Sequence, residues 1–95
     1  MWILRSTSEN VERILRVAPG TPRTIGRGPL ADFVVDEALL SRVHCRLLAT
    51  DADLTIEDLN STNGTFVNGR RVSRSPLTNG DHLRLGRLEL EVVRG

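Results

Sequence analysis

Ninety-five residues can bury one small core, and they exclude a second domain or an enclosed catalytic cleft of ordinary size. All thirteen basic residues are arginine and twelve acids leave a net charge of +1; that balance excludes the broad positive field on which non-specific nucleic-acid binding depends, so any anion recognition has to be local. A single cysteine, Cys45, excludes an internal disulfide framework and a multi-cysteine zinc site.

No apolar run reaches membrane-spanning length and no basic-then-apolar leader opens the chain, which gives the expectation of a soluble, cytoplasmic protein with no membrane partner. Trp2-Ile3-Leu4 is the first strand candidate. Val11, Ile14 and Leu15 then stand at helical spacing behind a possible Ser8 cap, yet the segment Asn10 to Val17 is read as a strand. An isolated two-turn helix would leave an otherwise β chain with an unpaired sheet edge. Thr24-Ile25-Gly26 and Asp32-Phe33-Val34-Val35 follow, with turns at Pro19-Gly20 and Gly28-Pro29.

Val43-His44-Cys45-Arg46-Leu47 and Leu54-Thr55-Ile56-Glu57 predict a hairpin across Asp51-Ala52-Asp53, with Cys45 buried as a small hydrophobe. Asn68-Gly69 between Thr65-Phe66-Val67 and Arg70-Arg71-Val72 predicts a second, because a two-residue Asn-Gly step accepts positive φ at both positions. This hairpin holds the preceding Ser61-Thr62-Asn63-Gly64 at a sheet edge, where short polar side chains are preorganised for directed hydrogen bonds. After a turn at Asn79-Gly80, Leu83-Arg84-Leu85 and Leu88-Glu89-Leu90-Glu91-Val92 alternate with period two across Gly86-Arg87. They predict two half-buried antiparallel strands. Many short strands with regular turn signals indicate a sandwich or barrel.

Four polar clusters punctuate these strands: Gly26-Arg27, Ser41-Arg42-Val43-His44, Asn60 to Asn68, and Gly80-Asp81. Taken in order and at these spacings, they resemble the forkhead-associated (FHA) domain over nearly the whole chain. The resemblance implies an all-β fold, an eleven-stranded sandwich of two sheets, whose loops at one end bind phosphothreonine peptides. Residues 1–95 would form one such domain, expected to act as a monomer without a cofactor or metal.

The residue chemistry points the same way. Phosphothreonine carries about −1.5 to −2 charges and three acceptor oxygens, so its receptor needs charged forks and neutral donors. By resemblance Arg27, Ser41 and Arg42 supply the phosphate contacts; Ser41 offers its hydroxyl and its backbone N–H. Thr62 would reach the phosphate with its hydroxyl, and Asn63, with both a donor and an acceptor, suits the ligand backbone next to it. Gly26, His44, Gly64, Asn68 and Gly69 are expected to support the site. Gly26 lets the backbone turn and aim Arg27, His44 lies in a strand and braces the binding loops, and Asn68 shapes the Asn-Gly turn and buttresses the neighbouring loop.

Two departures from the family pattern, Val43 where a second basic residue is common and Ala38 where proline is common, bear on peptide selectivity. So does apolar Leu39-Leu40 in the segment Asp36 to Leu40 that borders the groove. The Asn-Ser-Thr and Asn-Gly-Thr glycosylation patterns at Asn60 and Asn63 are coincidental without a secretory signal. An enzyme is not expected, since no phosphate-binding Gly-Lys-Ser/Thr step and no nucleophile–base set is present. The competing reading is a phosphate-independent interaction or scaffold domain on the same sandwich.

Overall fold

Period-two alternation sets the core. Along Cys45–Ala49 the side chains of Cys45, Leu47 and Ala49 are buried while Arg46 and Leu48 face solvent, and along Leu88–Arg94 the buried set is Leu88, Leu90 and Val92. Each strand therefore has one apolar face, and two sheets packed face to face bury both. The computed structural model describes residues 1–7 and 13–95. Among these it holds eleven strands and no helix.

The strands are β1 (Trp2–Ser6), β2 (Ile14–Val17), β3 (Arg23–Gly26), β4 (Phe33–Val34), β5 (Cys45–Ala49), β6 (Leu54–Asp58), β7 (Thr65–Val67), β8 (Arg70–Val72), β9 (Arg74–Leu77), β10 (His82–Leu85) and β11 (Leu88–Arg94). One sheet runs β2-β1-β11-β10-β7-β8 and the other β4-β3-β5-β6-β9. Every pairing is antiparallel except β3 with β4. Leu4, Ile25, Leu47, Leu54, Ile56, Leu83, Leu85 and Leu90 are fully buried between the sheets. The eleven-stranded sandwich expected from the sequence is the fold observed.

The end of the sandwich that carries the loops follows from register. Ile25 near the end of β3 pairs with Cys45 at the start of β5, and Cys45 pairs with Asp58 at the end of β6. Leu85 at the end of β10 pairs with Thr65 at the start of β7. Antiparallel pairing thus brings the segments after β3, before β5 and after β6 to one end, together with the β10–β11 turn.

Several local expectations need adjustment. Ile14 to Val17 forms the strand read there; Asn10 to Glu12, the start of that segment, lie outside the described residues. Val43 and His44 precede β5 rather than belonging to it, although the His44 N–H still donates to Ile25 O in β3 (2.8 Å) and its C=O accepts from Leu59 N just after β6 (3.0 Å). Strand β9 was not anticipated, since Pro76 interrupts the pattern. It sits at a sheet edge, where a residue without an N–H is tolerated.

Asn68 and Gly69 form the expected turn, with φ of 51° and 81°. They stand at the far end of β7, however. Asn68 Oδ1 accepts from His82 N (2.9 Å) and its Nδ2 donates to Asp81 Oδ1 (3.0 Å), so the loop it buttresses is the one before β10 and not the Ser61–Gly64 loop. The direct support assigned to Asn68 and Gly69 is corrected accordingly: a three-residue strand separates them from the Ser61–Gly64 loop.

Cys45 is fully buried, and burial pushes its thiol far above the ordinary range, with the Asp58 charge acting the same way against a backbone hydrogen bond from Ile25. The thiolate is the reactive species, so native protein should not react with Ellman's reagent at mildly alkaline pH. One thiol per chain should titrate once the protein is unfolded in guanidinium. Rapid reaction of native protein would contradict the packing described.

Candidate functional site: a braced cluster of hydrogen-bond donors at one end of the sandwich

The five residues assigned to ligand contact come from three segments, and the structure brings them together. Arg27, Ser41, Arg42, Thr62 and Asn63, with Ala38, Leu39 and Leu40, line one open depression of about 320 Å³. Arg27 follows β3, Ser41 and Arg42 lie in the segment before β5, and Thr62 and Asn63 lie in the crossing from β6 in one sheet to β7 in the other. Three hydrogen bonds that involve side chains tie the segments directly: Thr62 N donates to Ser41 Oγ (3.0 Å), Asn63 Nδ2 to Leu39 O (2.9 Å) and Arg27 Nε to Leu40 O (3.2 Å).

His44 supplies the buried brace beneath them. Its Nδ1 accepts from Ser41 N (3.1 Å), and a backbone N–H can only donate, so the proton sits on Nε2 and is given to Gly64 O at 2.8 Å. One neutral imidazole thereby fixes both loops. The bracing role expected of His44 is the geometry observed.

A second hub was not anticipated. Asp58, at the end of β6, accepts from Ser61 N (3.1 Å) and Ser61 Oγ (2.5 Å), and from Thr65 Oγ1 (2.7 Å). Ser61 Oγ in turn accepts from Gly64 N (3.0 Å), so one carboxylate organises the whole crossing loop. Burial pushes the Asp58 carboxyl up, but the hydrogen bonds from Ser61 and Thr65 outweigh it and hold the group below its ordinary value. The sequence did carry a signal for it: an aspartate three residues ahead of a serine, at the end of a strand, is the spacing of a side-chain-stabilised turn.

These bonds decide which donors remain for a ligand. The Ser41 backbone N–H is taken by His44, so only its hydroxyl proton is free, a correction to the double contribution expected of it. Asn63 keeps Oδ1 and one amide hydrogen. Arg27 is anchored through Nε, leaving its two terminal nitrogens, while the Arg42 guanidinium and the Thr62 hydroxyl have no partner among the described residues. The depression is lined by unspent donors around two arginines.

Two glycines are required, one by close approach and one by backbone conformation. A Cβ on Gly26 would stand 2.0 Å from Arg42 O, so this residue is glycine because the Arg42–Val43 backbone lies against it; the expected reason, freedom to turn, is replaced by a steric one. Gly64 combines φ of 88° with a Cβ position only 2.8 Å from Arg71 Nε. The positive φ is what demands glycine there, while a Cβ would press on the Arg71 side chain.

The model of the FHA domain family matches residues 23–86, two thirds of the chain. The chain is an FHA domain. It is 43% identical over 77 residues, 81% of its length, to the ABC transporter ATP-binding/permease protein Rv1747 of Mycobacterium tuberculosis, of which it spans 9%. Across other curated relatives it spans about half of their length or less. Among solved structures, the FhaA FHA domain in complex with the intracellular domain of Rv3910 superposes with a TM-score of 0.89 at 34% identity, covering 97% of this chain and 99% of that one. An FHA structure from a study of phosphothreonine-dependent FHA domain interactions gives 0.90 at 32% identity, covering 100% and 98%.

For this FHA domain the Asp58 hub makes a pH-dependent contribution of defined sign. A carboxyl held below its unfolded value, near 3.8, stabilises the fold above that value, and the contribution is lost as pH falls through the lower folded value. Asp58→Ala should lower stability by about 1–3 kcal/mol at neutral pH, because three donors lose their acceptor. Asp58→Asn should lower it less, and urea unfolding at about pH 6 and about pH 3 should show wild type losing more stability on acidification than this variant. Asp32 and Asp81, also held low by hydrogen bonds, make the difference partial. Equal losses in both proteins would exclude the role given to Asp58.

Proposed function

We propose that this FHA domain binds peptides and proteins phosphorylated on threonine, with Arg27, Ser41, Arg42, Thr62 and Asn63 as ligand contacts. The observation that carries the reading is the set of unspent donors converging on one depression: two guanidinium groups, two hydroxyls and one amide. A phosphate dianion with three acceptor oxygens matches that set, whereas a carboxylate would leave donors unfilled. The structural match to a domain studied for phosphothreonine-dependent interactions supports it.

In the binding step derived from these residues no bond is made or broken in the ligand. The terminal nitrogens of Arg27 and the guanidinium of Arg42 meet the phosphate charge, and the Ser41 and Thr62 hydroxyls donate to its oxygens. Asn63 pairs with the peptide backbone beside the phosphoresidue through its free Oδ1 and N–H. The loops do not have to order on binding, because His44 and Asp58 already fix them, so little of the interaction energy is lost to conformational entropy. This is a recognition module in Ser/Thr-kinase signalling, with a phosphorylated kinase or kinase substrate as its partner, and its reading function requires no catalytic group.

Arg27→Ala should cost about 1.5–3 kcal/mol of phosphopeptide affinity with a nearly unchanged melting temperature, since its side chain is exposed and holds a single backbone carbonyl. Calorimetric titration of one peptide in four versions tests the ligand chemistry. Phosphothreonine should bind more tightly than phosphoserine, by roughly 0.8 kcal/mol for the extra methyl, and glutamate and plain threonine should fail. Equal affinity for all four would favour a phosphate-independent scaffold instead.

A further inference from the structure

Beside Asn63 the site does not end at the depression. Arg71 on β8 lies across Gly64: a Cβ built on that glycine would come within 2.8 Å of Arg71 Nε, 3.1 Å of its Cζ and 3.2 Å of Phe66 Cε1. Arg71 pairs with Phe66 in the β7–β8 ladder, and Phe66 pairs in turn with Arg84, whose Cζ stands 4.0 Å from the ring centroid. A row of arginine, aromatic ring and arginine thus runs over the outer face of the six-stranded sheet, starting one residue beyond the proposed ligand contact Asn63.

Several arginines of this chain end in solvent, but Arg71 differs in being laid against a buried glycine, with no side chain between them. Its guanidinium has no hydrogen-bond or ion-pair partner among the described residues. The next carboxylate along the row, Glu89, lies three strands away, about 14 Å at ordinary strand spacing, and is engaged with His82 at 3.2 Å. Arg5, Arg23 and Arg46, by contrast, each have a carboxylate partner. A guanidinium placed against a buried glycine and left without an acceptor among the described residues, next to a loop proposed to hold a peptide backbone, is available to a planar anion.

We propose that Arg71 forms a second anion contact, reading an acidic or phosphorylated side chain of the partner that flanks the phosphothreonine on the Asn63–Gly64 side. The inference rests on the phosphothreonine reading and adds a selectivity rule to it. A peptide whose backbone pairs with Asn63 and continues over Gly64 brings the side chains about two to four residues from the phosphothreonine within reach of Arg71. Carboxylate and phosphate share the required geometry and differ in charge. A second phosphate should couple more strongly than an aspartate.

The test uses a fluorescein-labelled phosphothreonine peptide with alanine at the flanking positions, in which a single aspartate is moved through about four positions on either side. At low salt, aspartate at one position should raise affinity about threefold to fivefold over alanine, and phosphoserine at that position should raise it further. Arg71→Gln should erase the gain while leaving affinity for the all-alanine peptide unchanged within about twofold. Arg71→Glu should transfer the preference to lysine at the same position. A gain that persists in Arg71→Gln, or a phosphate-dependent signal with no acid-sensitive position, would overturn the proposal. Failure of the underlying reading is distinguishable, because phosphorylated and plain peptides would then bind alike.

Discussion

The neutral imidazole of His44 is the interaction on which the binding end depends. The segment before β5 and the crossing that leaves β6 share the β5–β6 ladder only at their base, so beyond it their relative position must be set by something placed between them. His44 accepts from Ser41 N on one side and donates to Gly64 O on the other, in a fully buried position. A buried hydrogen bond to a backbone group is costly to leave unmade, which makes this arrangement rigid as well as specific. Neither neighbour is free to move without orphaning a ring nitrogen.

The other braces act around that point. Asp58 gathers Ser61 and Thr65, and Ser61 holds Gly64 N, so the loop that presents Thr62 and Asn63 is tied at both ends. Glu37 does the same for the facing segment. Its Oε2 accepts from Leu39 N and from Arg87 N (3.1 Å each), joining the Leu39–Leu40 backbone to the β10–β11 turn. The Leu39 and Leu40 carbonyls, fixed in this way, then orient Asn63 and Arg27. Side chains buried or half-buried around the rim therefore consume the donors and acceptors that point inward, and what remains unspent points outward. The proposed ligand chemistry is the residue of that internal satisfaction.

The same logic separates roles among arginines that look alike in the sequence. Arg46 pairs with Glu57 and Arg5 with Glu91 on the outer sheet faces, where exposed ion pairs contribute little to stability. Arg27 spends one nitrogen on a backbone carbonyl and keeps two. Arg71 has no hydrogen-bond or ion-pair partner among the described residues and lies against Gly64. With no lysine in the chain, charge count alone cannot rank these side chains; their partners can.

The sequence by itself determined an all-β chain, because period-two alternation at Leu83 to Val92 and at Cys45 to Leu47, together with the Asn68-Gly69 step, is local information that fixes strand faces and turns; the sandwich rather than a barrel came from the family resemblance of its motifs. It also determined which residues could bear ligand chemistry, through the order and spacing of Gly26-Arg27, Ser41-Arg42 and Thr62-Asn63. Tertiary structure alone decided how their donors are divided. That Ser41 N–H is already taken, that Gly26 is glycine because Arg42 O lies against it, and that Asn68 serves the opposite end follow from contacts between segments distant in the chain. Such contacts are set by the packing of one sheet on the other, and no local pattern of residue types encodes them.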